Sequence, residues 1–155
     1  MTGERIFHGG PAQIGIVVPD VEAAIERYRA LFGYDDWLVV ENGPWNLHGL
    51  HVRGEPADFS MRLGLYGSDP QIELLQPLAG DDILGDWLRR GGRGLHHLGY
   101  EVASVDETIA AMDGAGFACL QHGYGFGADG SGGFAYFDTE RELGYLVEAL
   151  EPANA

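Results

Sequence analysis

Apolar residues along this chain fall into short runs and periodic stretches separated by glycine- and acid-rich turns. Residues 12–18 form an apolar run closed by Pro19-Asp20, the pattern of a buried strand entering a turn. After Asp20, an N-cap candidate, Val21, Ala24, Ile25, Tyr28, Leu31 and Phe32 recur at helical spacing until Gly33. Residues 37–41 read as a strand and 45–58 as an irregular stretch rich in His, Trp and Arg. Alternation resumes over 59–66, with Phe59, Met61, Leu63 and Leu65 on one face, and a further strand follows at 71–76. A short amphipathic helix over 81–90, with Ile83, Leu84, Trp87 and Leu88 inward, is broken by Gly91-Gly92-Arg93-Gly94. Then the pattern restarts: a strand over 95–102, a helix over 105–115 ended by Gly116, and strands at 117–121, 133–137 and 145–150. The glycine-rich stretch 123–133 reads as a mobile loop. It opens no helix, so it fails the dinucleotide-binding fingerprint.

The restart is a repeat. Gln13-Ile14-Gly15-Ile16-Val17-Val18-Pro19-Asp20 aligns without gaps on His97-Leu98-Gly99-Tyr100-Glu101-Val102-Ala103-Ser104, and the match continues through Ile25 and Ile109. A second pair follows in the same order, Ile72-Glu73-Leu74-Leu75-Gln76-Pro77 on Val147-Glu148-Ala149-Leu150-Glu151-Pro152. The expectation is an α+β fold of two tandem βαβββ modules within a single domain over 1–155. Module one spans about 12–78, a linker helix about 81–94, and module two about 95–152.

Charge removes several functions. The formal net charge is −15, from 24 acids and 9 bases, which argues against nucleic-acid and anionic-membrane partners. Every base is arginine, so lysine Schiff-base chemistry is impossible. No apolar run approaches the roughly 20 residues of a bilayer span, and the N-terminus has no secretion-signal pattern, so the expected location is cytoplasmic. Cys119, the one cysteine, lies in an apolar stretch and reads as an inert buried thiol.

The repeat makes Gln13 equivalent to His97 and Glu73 equivalent to Glu148. A lone strand His is usually a hydrogen-bonded core residue, and a lone strand Glu is usually solvated. Here both glutamates sit between apolar neighbours, where an unpaired carboxylate costs several kcal/mol or shifts its pKa. If the modules pair about a pseudo-twofold axis, the four side chains converge. One imidazole, two carboxylates and an amide oxygen then suit a divalent ion with open positions: Co, Mn, Ni, Zn or Fe(II). Gln13 either completes that set as a neutral ligand or marks a site that has lost its metal.

Over about residues 12–152 the chain resembles the vicinal oxygen chelate superfamily (glyoxalases, bleomycin resistance proteins and dioxygenases). This likeness implies that the paired βαβββ modules form one cupped mixed sheet. The run Ile72 to Leu78, then Leu84, Trp87-Leu88 and Gly92-Arg93-Gly94-Leu95-His96-His97-Leu98, is similar to methylmalonyl-CoA epimerases. His97 falls on the ligand position, and His96 is expected by alternation to face away. Epimerases usually have His in place of Gln13, and their other carboxylate precedes the third strand, where Asp58 stands. The set Gln, Glu, His, Glu is similar to that of eukaryotic-type glyoxalase I, but that enzyme's glutathione-binding arginine has no counterpart near Val17 and Val18. Extradiol dioxygenases need two His and one Glu, which Gln13 argues against.

The resemblance implies a metal-dependent enzyme of epimerase or isomerase type that removes a proton alpha to a chelated carbonyl of a small acyl thioester or related substrate. Glu148 is the first candidate base and Asp58 the second. One alternative is a glyoxalase I-like lyase acting on a hemithioacetal. Another is a non-catalytic drug-binding protein with a groove of Trp37, Trp45, Tyr66 and Tyr136, and a third is a biosynthetic enzyme that has dropped the metal. Arg89, Arg90 and Arg93 are candidates for a carboxylate or CoA phosphates, Tyr124 and Phe126 for a lid, and Trp45, His48 and His51 for the pocket mouth. The expected partners are a small-molecule substrate and a second copy in a homodimer.

Overall fold

The computed structural model describes residues 4–154. Its elements follow the repeat. Module one opens with β1 (Gln13–Val17), α1 (Val21–Phe32) and β2 (Leu38–Asn42), and closes with β5 (Met61–Tyr66) and β6 (Gln71–Pro77). Module two consists of β7 (Leu95–Glu101), α3 (Val105–Gly114), β8 (Cys119–Phe126), β9 (Gly132–Phe137) and β10 (Leu146–Glu151). Both long helices start as the sequence requires. Asp20 and Ser104 cap them with side-chain oxygens that accept from Ala23 N–H and Glu107 N–H. Gly33 ends α1 in the left-handed conformation.

All ten strands of the described residues lie in one curled mixed sheet, in the order β2-β5-β6-β1-β7-β10-β9-β8-β3-β4. The modules meet at its centre, where β1 and β7 run antiparallel, and each of these pairs on its other side with the parallel last strand of its own module. The two faces divide the side chains. On the convex face, α1 packs Val21, Ala24 and Ile25 against Leu74, and α3 packs Val105 and Met112 against Ala135, Phe137, Val147 and Ala149. On the concave face, Val17, Phe59, Leu75, Phe134 and Leu146 form the inner core, closed at one side by Ile83 and Leu84 of α2 (Ile83–Arg89). No helix among the described residues is long and apolar enough to cross a membrane.

Three details depart from the sequence reading. The stretch 45–58 is not irregular: it contains a hairpin, β3 (His48–Val52) and β4 (Glu55–Pro56). Although it belongs to module one, it crosses to module two and pairs with the outer edge of β8. His51 stacks on His122 in this pairing (ring centroids 4.8 Å apart, planes 6° from parallel), and His48 stacks on Tyr124. These histidines therefore join strands and do not line a pocket mouth. Second, β8 runs on to Phe126 through much of the expected mobile loop. Third, a four-residue helix, α4 (Glu140–Leu143), precedes β10. Cys119 is half-buried, and burial pushes its thiol up to about 11, which keeps it protonated and unreactive.

Candidate metal centre

The site lies across the β1–β7 seam on the concave face. Register sets it out as two rows. Glu73 on β6, Gly15 on β1 and His97 on β7 stand side by side, and so do Gln13 on β1, Gly99 on β7 and Glu148 on β10. The middle of each row is a glycine, and each row comes from the other by exchanging the modules. The missing Cβ atoms make the room. A Cβ on Gly15 would lie 2.0, 2.1 and 2.4 Å from three atoms of the His97 ring, and one on Gly99 would lie 3.1 Å from Glu148 Oε1. The imidazole therefore rests directly on the backbone of β1, where no other residue leaves space.

Glu73, His97 and Glu148 are buried, and each offers a ligand atom within 4.8 Å of the others. His97 Nε2 is 3.3 Å from Glu73 Oε1 and 3.3 Å from Glu148 Oε1, yet neither contact has hydrogen-bond geometry. Among the described residues, seven buried side-chain polar atoms lack a hydrogen-bond partner, and four of them are Gln13 Oε1, Glu73 Oε1, His97 Nε2 and Glu148 Oε1. The other three, on Asp82, Trp87 and Gln121, lie around the start of α2, where Gln121 accepts from the Ile83 N–H. Such orphans cost roughly 1–3 kcal/mol each, and more when charged. Four of them on the residues of two repeated positions fit the donor set of a hard-to-borderline divalent cation.

Neighbouring side chains aim these atoms. Gln13 Nε2 donates to Gln71 Oε1 at 2.9 Å, which leaves Gln13 Oε1 as its free atom. The Nδ1 atoms of His96 and His97 are 2.9 Å apart. Burial, together with the charges of His97 and Arg90, pushes His96 down to about 2, so His96 is neutral. In its Nε2–H tautomer neutral His96 accepts at Nδ1; His97 then donates from Nδ1, and the Nε2 of His97 is directed at the carboxylates. Burial works against charge on His97, but Glu148 and Glu73 outweigh it and raise the group to about 9. Burial, followed by the charge of Glu148, raises Glu73. Tyr136, edge-on to His97 at 4.9 Å, is raised well above its ordinary value, first by burial and then by the Glu148 and Glu73 charges.

His96 corrects an expectation. Strict alternation would turn it away, but the β1–β7 register shifts between Gly15 and Ile16, pairing Ile16 with Leu95 and leaving His96 as the extra residue of a bulge. Both histidines consequently project inward. Asp58 is exposed and is not among the residues that line the cavity. Of the four aromatic residues expected in a ligand groove, Tyr136 alone lines it. Trp37 and Tyr66 pack with Tyr34 elsewhere, and Trp45 is largely exposed. Phe126 reaches the cavity while Tyr124 bonds Asp106 outside it, because β8 bulges between them. Sequence reasoning missed Gln71; its signal was its place two residues before Glu73, directly opposite Gln13.

Above these groups is a cavity of about 660 Å³, lined by Gln13, Glu73 and Glu148 at its base and by mainly apolar walls. A duplicated βαβββ arrangement in one curled sheet, with paired buried polar side chains at its seam, defines the structural class. Residues 12–137 match the profile of the Glyoxalase/Bleomycin resistance protein/Dioxygenase superfamily, and the chain belongs to that superfamily. No curated protein matches it. Among solved structures it is similar to methylmalonyl-CoA epimerase from Mycobacterium tuberculosis (22% identity, TM-score 0.65, covering 99% of this chain and 94% of that one). It is also similar to a hypothetical protein from Bacillus halodurans (20%, TM-score 0.62, covering 94% and 96%). A Streptomyces coelicolor methylmalonyl-CoA epimerase variant in complex with 2-nitronate-propionyl-CoA is a third (24%, TM-score 0.59, covering 94% and 96%). At these identities the likeness establishes the shared fold.

Proposed function

We propose that this protein is a metal-dependent enzyme that removes a proton from carbon next to a carbonyl, in a substrate presenting two neighbouring oxygen atoms. The observation that carries this reading is the set of four buried, unpartnered ligand atoms around one seam. Gln13, Glu73, His97 and Glu148 would hold a divalent ion, whose positive charge, when bound, acidifies the adjacent C–H and stabilises the charge that develops on oxygen. Glu148 takes the proton. Its carboxylate lies over Gly99, where no Cβ restricts its movement. The Tyr136 ring and the apolar walls keep water from the exposed carbanion. His97 is held in its ligating tautomer by His96, and Gln13 is held by Gln71. The reaction is of epimerase or isomerase type, a reading supported by the epimerases among the structural neighbours. A sequestering protein has no use for four stranded donors.

The direct test is equilibrium dialysis with metal analysis, which should give about one ion per chain. Less than about half an ion per chain, with no proton exchange in deuterated buffer, would defeat the reading. Binding should also depend on pH. Without metal, His97 holds a proton up to about 9, above its ordinary 6.5, so the stability this proton contributes is complete below 6.5 and is lost as pH rises towards 9. Ligation must expel that proton. Apparent metal affinity should therefore fall about tenfold for each unit that pH drops below about 9, and level off above it. Calorimetric titration with Mn(II) across this range checks the slope, and a flat profile would remove His97 from the ligand set.

Gln71→Leu probes the aim of Gln13. With its anchor gone the amide can rotate, and metal affinity should fall by about 10- to 100-fold with little change in melting temperature. Unchanged affinity would show that Gln13 contributes no bond to the ion.

A further inference from the structure

Building on the reading just given, we infer that the part of the substrate held in the cup is uncharged: a largely apolar group that presents two neighbouring oxygens and carries no carboxylate or phosphate. The case rests on charge and on the composition of the walls. Leu63, Phe126, Phe134 and Leu150 are among the apolar lining, and the polar lining other than acids consists of the amides of Gln13, Asn42, Asn46 and Gln71 and the phenol of Tyr136. No arginine lines the cavity, and the chain has no lysine. Five of the nine arginines are engaged in ion pairs with carboxylates. Arg62 bonds Glu22 and Glu41, and Arg29 bonds Glu26. Arg53, Arg89 and Arg90 pair with Asp86 and Glu140 around a separate groove that has His96 in its wall.

Counting charge at the centre gives the same answer. A divalent ion held by Glu73 and Glu148 has both its charges cancelled, since Gln13 and neutral His97 add none. An anion entering the cup would thus meet a neutral centre, mainly apolar walls and Glu41, whose charge Arg62 already pairs, with only neutral amide and phenol groups to repay its lost hydration. A neutral ligand gives up far less water, and its apolar body gains the walls. The volume, about 660 Å³, suits a molecule of ordinary ligand size. A thioester is admitted when its acyl group bears no carboxylate and the phosphates of its carrier stay in solvent. A malonyl-type acyl group is not.

The test compares three ligands on the Mn(II)-loaded protein: hydroxymethyl phenyl ketone, its para-carboxy analogue, and methylmalonyl-CoA. Affinity is read by calorimetry, and chelation by the fall in water-proton relaxation as bound water is displaced. The neutral ketone should bind at least about tenfold more tightly than either anion. Leu38→Arg adds a cation at an exposed position of the lining, on the edge strand β2. It should raise affinity for the para-carboxy ketone at least about tenfold while changing that of the neutral ketone little. Equal or tighter binding of the anions to the unaltered protein would overturn this inference and leave the metal centre standing. Failure of all three ligands to bind the loaded protein would also overturn it. Failure to take up Mn(II) at all would sink the reading on which it rests.

Discussion

Gly15→Ala is expected to empty the site and weaken the fold together. The added methyl would fall 2.0–2.4 Å from three ring atoms of His97, far inside contact distance. The ring cannot step aside, because it is fully buried, tied to His96 through Nδ1 and packed against Tyr136. Nor can the backbone give way easily, since β1 and β7 form the central seam, with paired strands on both sides. Overpacking of this kind costs about 1–3 kcal/mol or more, and displacing a ligand costs more affinity than the 10- to 100-fold typical of a supporting residue. Thermal unfolding should show a lower midpoint, and dialysis should show almost no bound metal. Gly99→Ala should be milder: its tightest clash, 2.7 Å, is with the mobile end of Leu150, and Glu148 Oε1 lies at 3.1 Å. If Gly15→Ala retained full metal and an unchanged midpoint, His97 would have to be ligating from another position.

The second large effect is expected at Glu148. Glu148→Gln preserves shape and keeps an oxygen beside Gly99, but it cannot accept the substrate proton. Proton exchange should drop by about 10²- to 10⁴-fold, the usual contribution of a positioned base, with a smaller loss of metal affinity. Asp58→Asn should change neither, because Asp58 is exposed and away from the cavity. NMR of substrate in deuterated buffer reads the exchange rate. A Glu148→Gln enzyme running above about a tenth of the normal rate, beside an inactive Glu73→Gln enzyme, would transfer the role of base to Glu73.

Much of this arrangement could be read from the sequence because it is written twice. The repeat put Gln13 with His97 and Glu73 with Glu148, and in the sheet these residues occupy the four adjacent strands about the module seam in matching registers. What escaped was non-local or broke a period. The β3–β4 hairpin has little apolar alternation, and its partner, β8, lies far along the chain, so no local signal marked it as strand. The glycines at 123, 125 and 127 imitate a loop, although two of them accommodate cross-strand contacts: Gly123 faces Phe134, and Gly125 abuts Asn46 and His48. The bulge at His96 is likewise silent, since His-His reads the same in or out of register. Only the seam, seen whole, turns both rings inward.

The hairpin that module one lends to module two has a consequence for cooperativity. Melting the first half alone would strip hydrogen bonds from the outer strand of the second, and melting the second would leave β3 and β4 with no neighbour beyond each other. The two halves, although they repeat one pattern, have thereby lost thermodynamic independence, and the chain should unfold as one.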